Sequence, residues 1–147
     1  MSKKVVLAFS GGLDTSFCVP YLKNEHGYEV HTVMVNTGGF SAEEEKAIEQ
    51  RALTLGAASH KTVNAVETYY NKGIKYLIYG NILKNATYPL SVSSERVFQA
   101  LEVLKHVKEL GADAVAHGST GAGNDQVRFD IVFEILAPAV EIIAPVR

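Results

Sequence analysis

The sequence predicts an α/β domain: a doubly wound, mostly parallel five-stranded sheet with helices on both faces. Short apolar or β-branched runs alternate with longer segments of helical periodicity. Glycine-containing turns punctuate nearly every transition between them. The 147 residues, 47% apolar and 20% charged, have the size and composition of one globular domain around one core.

Lys4–Phe9 (KVVLAF) is a buried parallel strand that stops at Ser10-Gly11-Gly12. Asp14 to about His26 follows with helical spacing of Phe17, Tyr21 and Leu22, ended by Gly27. Pro20 is compatible with that helix if its first turn begins near Ser16, where amides lack intrahelical acceptors anyway. Glu29–Val35 is the second strand. Ser41 and Glu44 form a capping box for a helix to about Leu55, with Glu43–Glu45 as a solvated start. His60–Asn64 is shorter and more polar, as edge strands are.

Ala65–Tyr79 has helical spacing weakened by Gly73, and its tyrosines Tyr69, Tyr70, Tyr76 and Tyr79 are assigned to packing. Gly80–Ser91 reads as an irregular connection. Ser93 or Ser94 is expected to cap a helix to Leu110 that places Val97, Leu101, Leu104 and Val107 on one face, with Gly111 ending it. Ala112–His117 is the fourth strand, Gly118–Asn124 a glycine-rich loop, and Gln126–Leu136 a helix stopped by Pro138. Glu141–Ala144 begins the fifth strand.

Several function classes are excluded by composition. A formal charge of −2 and a pI near 6.2 supply no electrostatic attraction to nucleic acid or to an anionic membrane. No stretch approaches the roughly 18 apolar residues of a membrane helix, and the N-terminal run is too short for a secretory signal. A cytoplasmic location is expected. The single cysteine, Cys18, rules out an internal disulfide or a multi-cysteine metal site, and its helical position predicts a buried packing role.

Two loops carry chemistry, and both leave strands at the same sheet edge, so the topology can place them side by side. In Ser10-Gly11-Gly12-Leu13-Asp14-Thr15-Ser16 the glycines let backbone N–H groups approach an anion. The hydroxyls of Ser10, Thr15 and Ser16 and the following helix N-terminus add donors and positive potential. No lysine is present to neutralise β and γ oxygens, and Asp14 would repel a polyphosphate unless a cation such as Mg²⁺ lies between them. Taken alone, Gly-Gly is better explained by a tight turn with Asp14 as N-cap.

The other loop, His117-Gly118-Ser119-Thr120-Gly121-Ala122-Gly123-Asn124-Asp125-Gln126-Val127-Arg128, has the wrong glycine order for a dinucleotide fingerprint. Arg128 can grip a carboxylate bidentately and Asp125 can accept from an ammonium, a combination suited to zwitterionic amino acids. An ordinary Asp125–Arg128 pair at a helix start accounts for the spacing equally well. His117 is assigned a structural role at the strand end.

SGGLDTS resembles the pyrophosphate-binding loop of the N-type ATP pyrophosphatases, which cleave ATP between α and β phosphates and adenylate a substrate. Over essentially the whole chain, AFSGGLDTS, YEVHTVMVNTGG, LTLGA, YPLSVS, HGSTGAGNDQVRF and IIAPVR resemble, in order, the N-terminal part of the argininosuccinate synthase family. That resemblance implies an adenine nucleotide alpha hydrolase-like fold. It implies ATP-dependent joining of citrulline and aspartate to argininosuccinate through a citrullyl-adenylate, with release of AMP and pyrophosphate, and a role in arginine biosynthesis.

By position, Ala8, Phe9, Ser10, Gly11, Gly12, Leu13, Asp14, Thr15 and Ser16 match the ATP loop, and Val35 and Gly118 match further ATP contacts. Tyr88 and Ser93 match citrulline positions. Thr120, Asn124 and Asp125 match the aspartate site, with Asn124 and Arg128 also facing citrulline. Asp14, Asp125 and Arg128 are the residues expected to act in catalysis, Asp14 also as a Mg²⁺ ligand.

Three features depart from the family. Residues 65–87 do not follow its pattern, Ala122 stands where a lysine is common, and family members are considerably longer. Residues 1–147 are therefore expected to be a single nucleotide-binding domain without the C-terminal part that supplies further citrulline contacts and homotetramer formation. The alternatives are a truncated ATP- or AMP-binding module without turnover, or another N-type adenylating enzyme such as a tRNA thiolase. The latter typically carries extra cysteines that this chain lacks.

Overall fold

The computed structural model describes residues 2–121 and 123–147; the departure at Ala122 lies outside them. The elements are β1 (Lys4–Ala8), α1 (Leu13–Asn24), β2 (Glu29–Asn36), α2 (Ala42–Thr54), β3 (Ser59–Asn64), α3 (Val66–Tyr69), a π-helical turn (Tyr70–Ile74) and α4 (Lys75–Tyr79). A small ribbon of β4 (Leu83–Lys84) and β5 (Tyr88–Pro89) leads to α5 (Ser91–Leu110), β6 (Ala114–His117), α6 (Asn124–Leu136) and β7 (Glu141–Ile143). The main sheet has five parallel strands in the order β3-β2-β1-β6-β7, so the polar β3 is an edge as expected.

Side chains alternate across the central strand and feed two cores. Val5 and Leu7 join Cys18, Val19 and Leu22 of α1 and Ile48 and Ala52 of α2 on one face. Val6 joins Ala100, Val103, Leu104 and Val107 of α5 and Phe129 and Phe133 of α6 on the other. Each fully buried side chain of this kind contributes roughly 1.5–3 kcal/mol by its removal from water. The chain steps outward from β1 to β2 and β3, then crosses back to β6 on the other side of β1. Strand order therefore reverses between β1 and β6, and a crevice opens beyond their carboxyl ends.

Several local expectations are corrected. Helix α1 begins at Leu13 with Gly12 as N-cap, not near Ser16, so Pro20 sits in its interior and removes the donor that would reach the Ser16 carbonyl. The buried stripe of α1 is Thr15, Cys18, Val19 and Leu22, while Phe17 is exposed and stacks on Tyr21 with ring centroids 5.3 Å apart. Neither Ser93 nor Ser94 caps α5, which starts after Leu90 without a side-chain cap. Ser94 Oγ instead donates to the Ser91 carbonyl (3.1 Å) and meets the Tyr69 hydroxyl (3.0 Å). The buried face of α5 is Ala100, Val103, Leu104, His106 and Val107, and Val97 is left exposed.

Residues 65–79 are helical but interrupted by the π turn. Tyr69 is buried there, whereas Tyr70, Tyr76 and Tyr79 are exposed. The capping box at Ser41 and Glu44 is present, but Glu45 is not free in solvent: its carboxylate accepts from Asn36 Nδ2 at 2.7 Å. Asn36 also donates to the Phe40 carbonyl and accepts from the Gly38 amide, which shapes the loop after β2 at the crevice.

Candidate functional site

Ser10–Ser16 turns sharply from β1 into α1. Gly11 has φ +73°, and a β-carbon there would stand 2.8 Å from Ile48 Cγ1, so both backbone and space require glycine. The hydrogen bonds inside the loop are long. Ser10 N and Gly12 N reach Thr15 Oγ1 and Ser10 Oγ at 3.4 Å each, and Thr15 Oγ1 donates to the Gly12 carbonyl at 3.3 Å. Amides held so weakly remain available to an anion at the N-terminus of α1. Asp14 does not cap the helix; the N-cap is Gly12, with no side-chain cap.

The loop after β6 packs directly on the first. A β-carbon on Gly118 would lie 2.8 Å from Thr15 Cγ2 and 3.1 Å from the Thr15 amide nitrogen. The two loops, far apart in sequence, form one floor.

Above that floor lie two adjoining cavities. The first, about 410 Å³, is walled by Ala8, Phe9, Ser10, Gly12, Leu13, Asp14, Thr15, Val35 and Gly118, with Phe40 from the loop after β2 and Glu95, Arg96 and Gln99 from α5. The second, about 820 Å³, is walled by Tyr88, Ser93, Thr120, Asn124, Asp125 and Arg128, with Lys84, Asn85 and Val92. Asp14, Gly118, Ser119 and Asp125 belong to both walls. Of the positions matched to an ATP loop, Gly11 and Ser16 line neither cavity: Gly11 is buried against Ile48, and Ser16 Oγ is buried without a hydrogen-bond partner.

Asp125 is the electrostatic centre of the shared wall. Its Oδ1 accepts from Arg128 Nη1 at 2.6 Å and its Oδ2 from Arg96 Nε at 2.9 Å. Burial alone would raise this carboxyl, but hydrogen bonds and charge from Arg96 and Arg128 outweigh it and hold Asp125 below its ordinary range. The ordinary helix-start pair considered from spacing therefore exists, but it faces a cavity and includes a second arginine. Arg128 Nη2 also donates to Ser93 Oγ at 3.0 Å, tying α6 to α5.

Arg96 stands at the site although the sequence pattern does not single it out. Its one signal was its place three residues after Ser93 on a helix, which puts both on the same side. Glu95 and Gln99 share that face, and Glu95 accepts from Thr37 Oγ1 and from Gln99 Nε2.

His117, only 1% exposed, ends β6 beneath the second loop. Its Nδ1 accepts from the Ser119 amide at 3.2 Å, and Nε2 lies 2.9 Å from Asp130 Oδ1. Burial pushes its pKa below the ordinary 6.5, although Asp130 opposes the shift. Among the described residues no cluster of His, Cys, Asp or Glu could by itself hold a metal ion, and no helix is long and apolar enough to cross a membrane.

Residues 4–147 match the family model described as "Arginosuccinate synthase N-terminal HUP domain". The chain is similar to argininosuccinate synthase of Xanthomonas campestris pv. campestris, 50% identical over 146 residues that make up 99% of this chain and 36% of that relative. It is also similar to argininosuccinate synthase of Saccharolobus solfataricus, 46% identical over 144 residues, 98% of this chain and 36% of that one. The chain thus spans little more than a third of the curated relatives it matches. Among solved structures, a predicted tRNA methyltransferase subunit from Methanocaldococcus jannaschii superposes with TM-score 0.62 at 20% identity, covering 98% of this chain and 68% of that one. An NH3-dependent NAD synthetase from Campylobacter jejuni gives TM-score 0.60 at 17% identity, over 82% of this chain and 48% of that one. At such identities these two likenesses show the fold alone.

Proposed function

The chain belongs to the argininosuccinate synthase family, whose N-terminal HUP domain it matches, and from that premise we propose that it is the nucleotide-binding domain of an ATP-dependent ligase joining citrulline to aspartate. AMP and pyrophosphate would be the other products. One observation carries this reading: apart from Gly11 and Ser16, the residues expected to meet nucleotide wall one cavity, those expected to meet amino acids wall the next, and Asp14, Gly118, Ser119 and Asp125 stand between.

The reaction joins those cavities at the α-phosphorus. The ureido oxygen of citrulline, held on the Arg128 and Ser93 side, attacks the α-phosphorus as its bond to the β-phosphate bridging oxygen breaks. The Gly12–Leu13 amides and the N-terminus of α1 receive the departing pyrophosphate. The aspartate amine then attacks the activated ureido carbon and AMP leaves. The chain's own contribution is positioning and charge neutralisation, since such a displacement needs no protein nucleophile.

Asp125 presents its carboxylate between the Arg96 and Arg128 guanidiniums, and Arg96 also pairs with Glu95 at 3.7 Å. A substrate ammonium and carboxylate could be held there together. The donor set suits Mg²⁺, which favours one or two carboxylates plus phosphate oxygens and water. Asp14 would hold it, and when bound it would neutralise the phosphates that Asp14 otherwise repels. A homotetramer, as the family resemblance implies, and a cytoplasmic setting belong to the same proposal.

Calorimetry with Mg·ATP, with and without citrulline, tests it together with exchange of labelled pyrophosphate into ATP. Binding with citrulline-dependent exchange supports the full reading. Nucleotide binding with no exchange reduces this chain to a binding module, and no binding of Mg·ATP removes the assignment.

A further inference from the structure

We propose that His117 is a positioning residue for this site: as a neutral imidazole protonated on Nε2, it fixes the Ser119 amide and with it the wall that both cavities share. The functional half of this inference rests on the nucleotide-binding reading above; the geometric half stands without it. Nδ1 can accept from Ser119 N–H only if it carries no proton, which places the ring proton on Nε2, directed at Asp130 Oδ1. Asp130 is held in turn: its Oδ2 accepts from Gln126 Nε2 and from Arg147 Nη2, both at 2.9 Å. The ring also stacks on Phe129, with centroids 5.6 Å apart and planes inclined by 16°.

A chain of contacts therefore runs from Arg147 and Gln126 through Asp130 and His117 to a single backbone N–H. That N–H lies in a stretch where displacement is felt twice. Gly118 already touches Thr15 of the phosphate loop with no room for a β-carbon, and Gly118 and Ser119 face both cavities. If His117 were a core filler alone, its Nδ1 would not need to remain an acceptor. Burial supports the neutral form, with Asp130 opposing and Arg147 reinforcing that shift.

The test uses the 147-residue chain and three variants whose folding is checked by thermal melts. His117→Asn places an amide oxygen near the Nδ1 position and keeps the acceptor. His117→Gln places its amide near Nε2, serving Asp130 but not Ser119. His117→Phe keeps the ring volume and the Phe129 stack and loses both hydrogen bonds.

Positioning predicts that Phe and Gln weaken Mg·ATP binding about tenfold and shift the Ser119 amide resonance, whereas Asn stays within about threefold of the parent, the span expected of one buried hydrogen bond. Nitrogen-15 spectra of the ligand-free chain should show the Nε2–H tautomer at neutral pH. An Nδ1–H tautomer or an imidazolium overturns the proposal, as does Phe behaving like the parent, or Asn and Gln behaving alike. If the parent chain does not bind Mg·ATP, the functional reading fails instead, and the tautomer and the Ser119 resonance still decide the geometry.

Discussion

Gly118 rests on Thr15 so closely that its missing side chain is what allows the two site loops to meet: a β-carbon would stand 2.8 Å from Thr15 Cγ2 and 3.3 Å from the Asp14 carbonyl carbon. Those neighbours include backbone at the start of α1, which cannot swing aside as a flexible side-chain end would. Gly118→Ala should therefore separate the loops and cost about 1–3 kcal/mol, the usual penalty of overpacking. Urea unfolding measures the loss, and Mg·ATP titration should show affinity falling with it. Parent-like values in both would mean that the loops have slack.

How far the sequence exposed this site depends on the range of the forces that build it. The turn at Ser10–Ser16 was legible because a glycine, Gly11, supplies the positive φ needed between a strand and a helix. The crevice followed from strand alternation. Arg96 was not legible as a partner of Asp125, since only the packing of α5 on α6 brings them to 2.9 Å. The α5 start departs from the serine-cap expectation because Tyr69, from an earlier helix, donates to the Ser91 carbonyl at 2.6 Å and draws Ser94 inward, so tertiary contact overrides the capping preference. Residues 80–91 form a ribbon whose turns put Asn81, Asn85 and Ala86 at positive φ. Asparagine at such positions is a readable turn signal, but alanine is not.

Arg51 of α2 donates from Nη1 to the Gly11 carbonyl, and Ile48 of the same helix abuts Gly11, so α2 braces the Ser10–Ser16 loop proposed to hold phosphate. The contact holds the end of the loop assigned to the departing pyrophosphate. Arg51→Met should raise the Kd for Mg·ATP several-fold and leave that for AMP nearly unchanged. Since Arg51 is largely solvated, stability should fall by only about 1 kcal/mol. Paired titrations with the two nucleotides check this, and equal weakening of both would place the effect elsewhere.

Asp125 predicts an acid limb of stability. Its carboxyl lies below the ordinary 3.8 in the folded chain, because the two arginines outweigh the cost of burial. The unfolded chain therefore takes up the proton first as pH falls. Stabilisation is complete above about pH 4–5 and is lost as pH drops through the folded value. With the carboxyl 39% exposed, solvent screening limits it to about 1 kcal/mol. Urea unfolding of parent and Asp125→Asn between pH 6 and pH 2 should show a difference that shrinks toward the acid end. A difference independent of pH would mean that charge is not its source.

Cys18, the chain's single cysteine, lies in α1 only four residues after Asp14 yet points away from the crevice, with no solvent exposure, into the core of Val5, Leu7 and Ile48. Burial chiefly, with the negative charge of Asp14 adding to it, pushes its thiol up to about 11. The nucleophilic thiolate is accordingly scarce at neutral pH, and the sulfur is also out of reach. Iodoacetamide at pH 8 should modify the native chain only at the rate at which the molecule opens, and promptly once urea has unfolded it. Cys18→Ala should leave Mg·ATP binding within about twofold while removing a buried sulfur's worth of packing, about 1–2 kcal/mol. Rapid labelling of the folded chain would show that α1 separates from the sheet far more readily than its buried stripe of Cys18, Val19 and Leu22 implies, and the Ser10–Ser16 loop at the head of that helix would then be a mobile element instead of the preformed phosphate cradle proposed above.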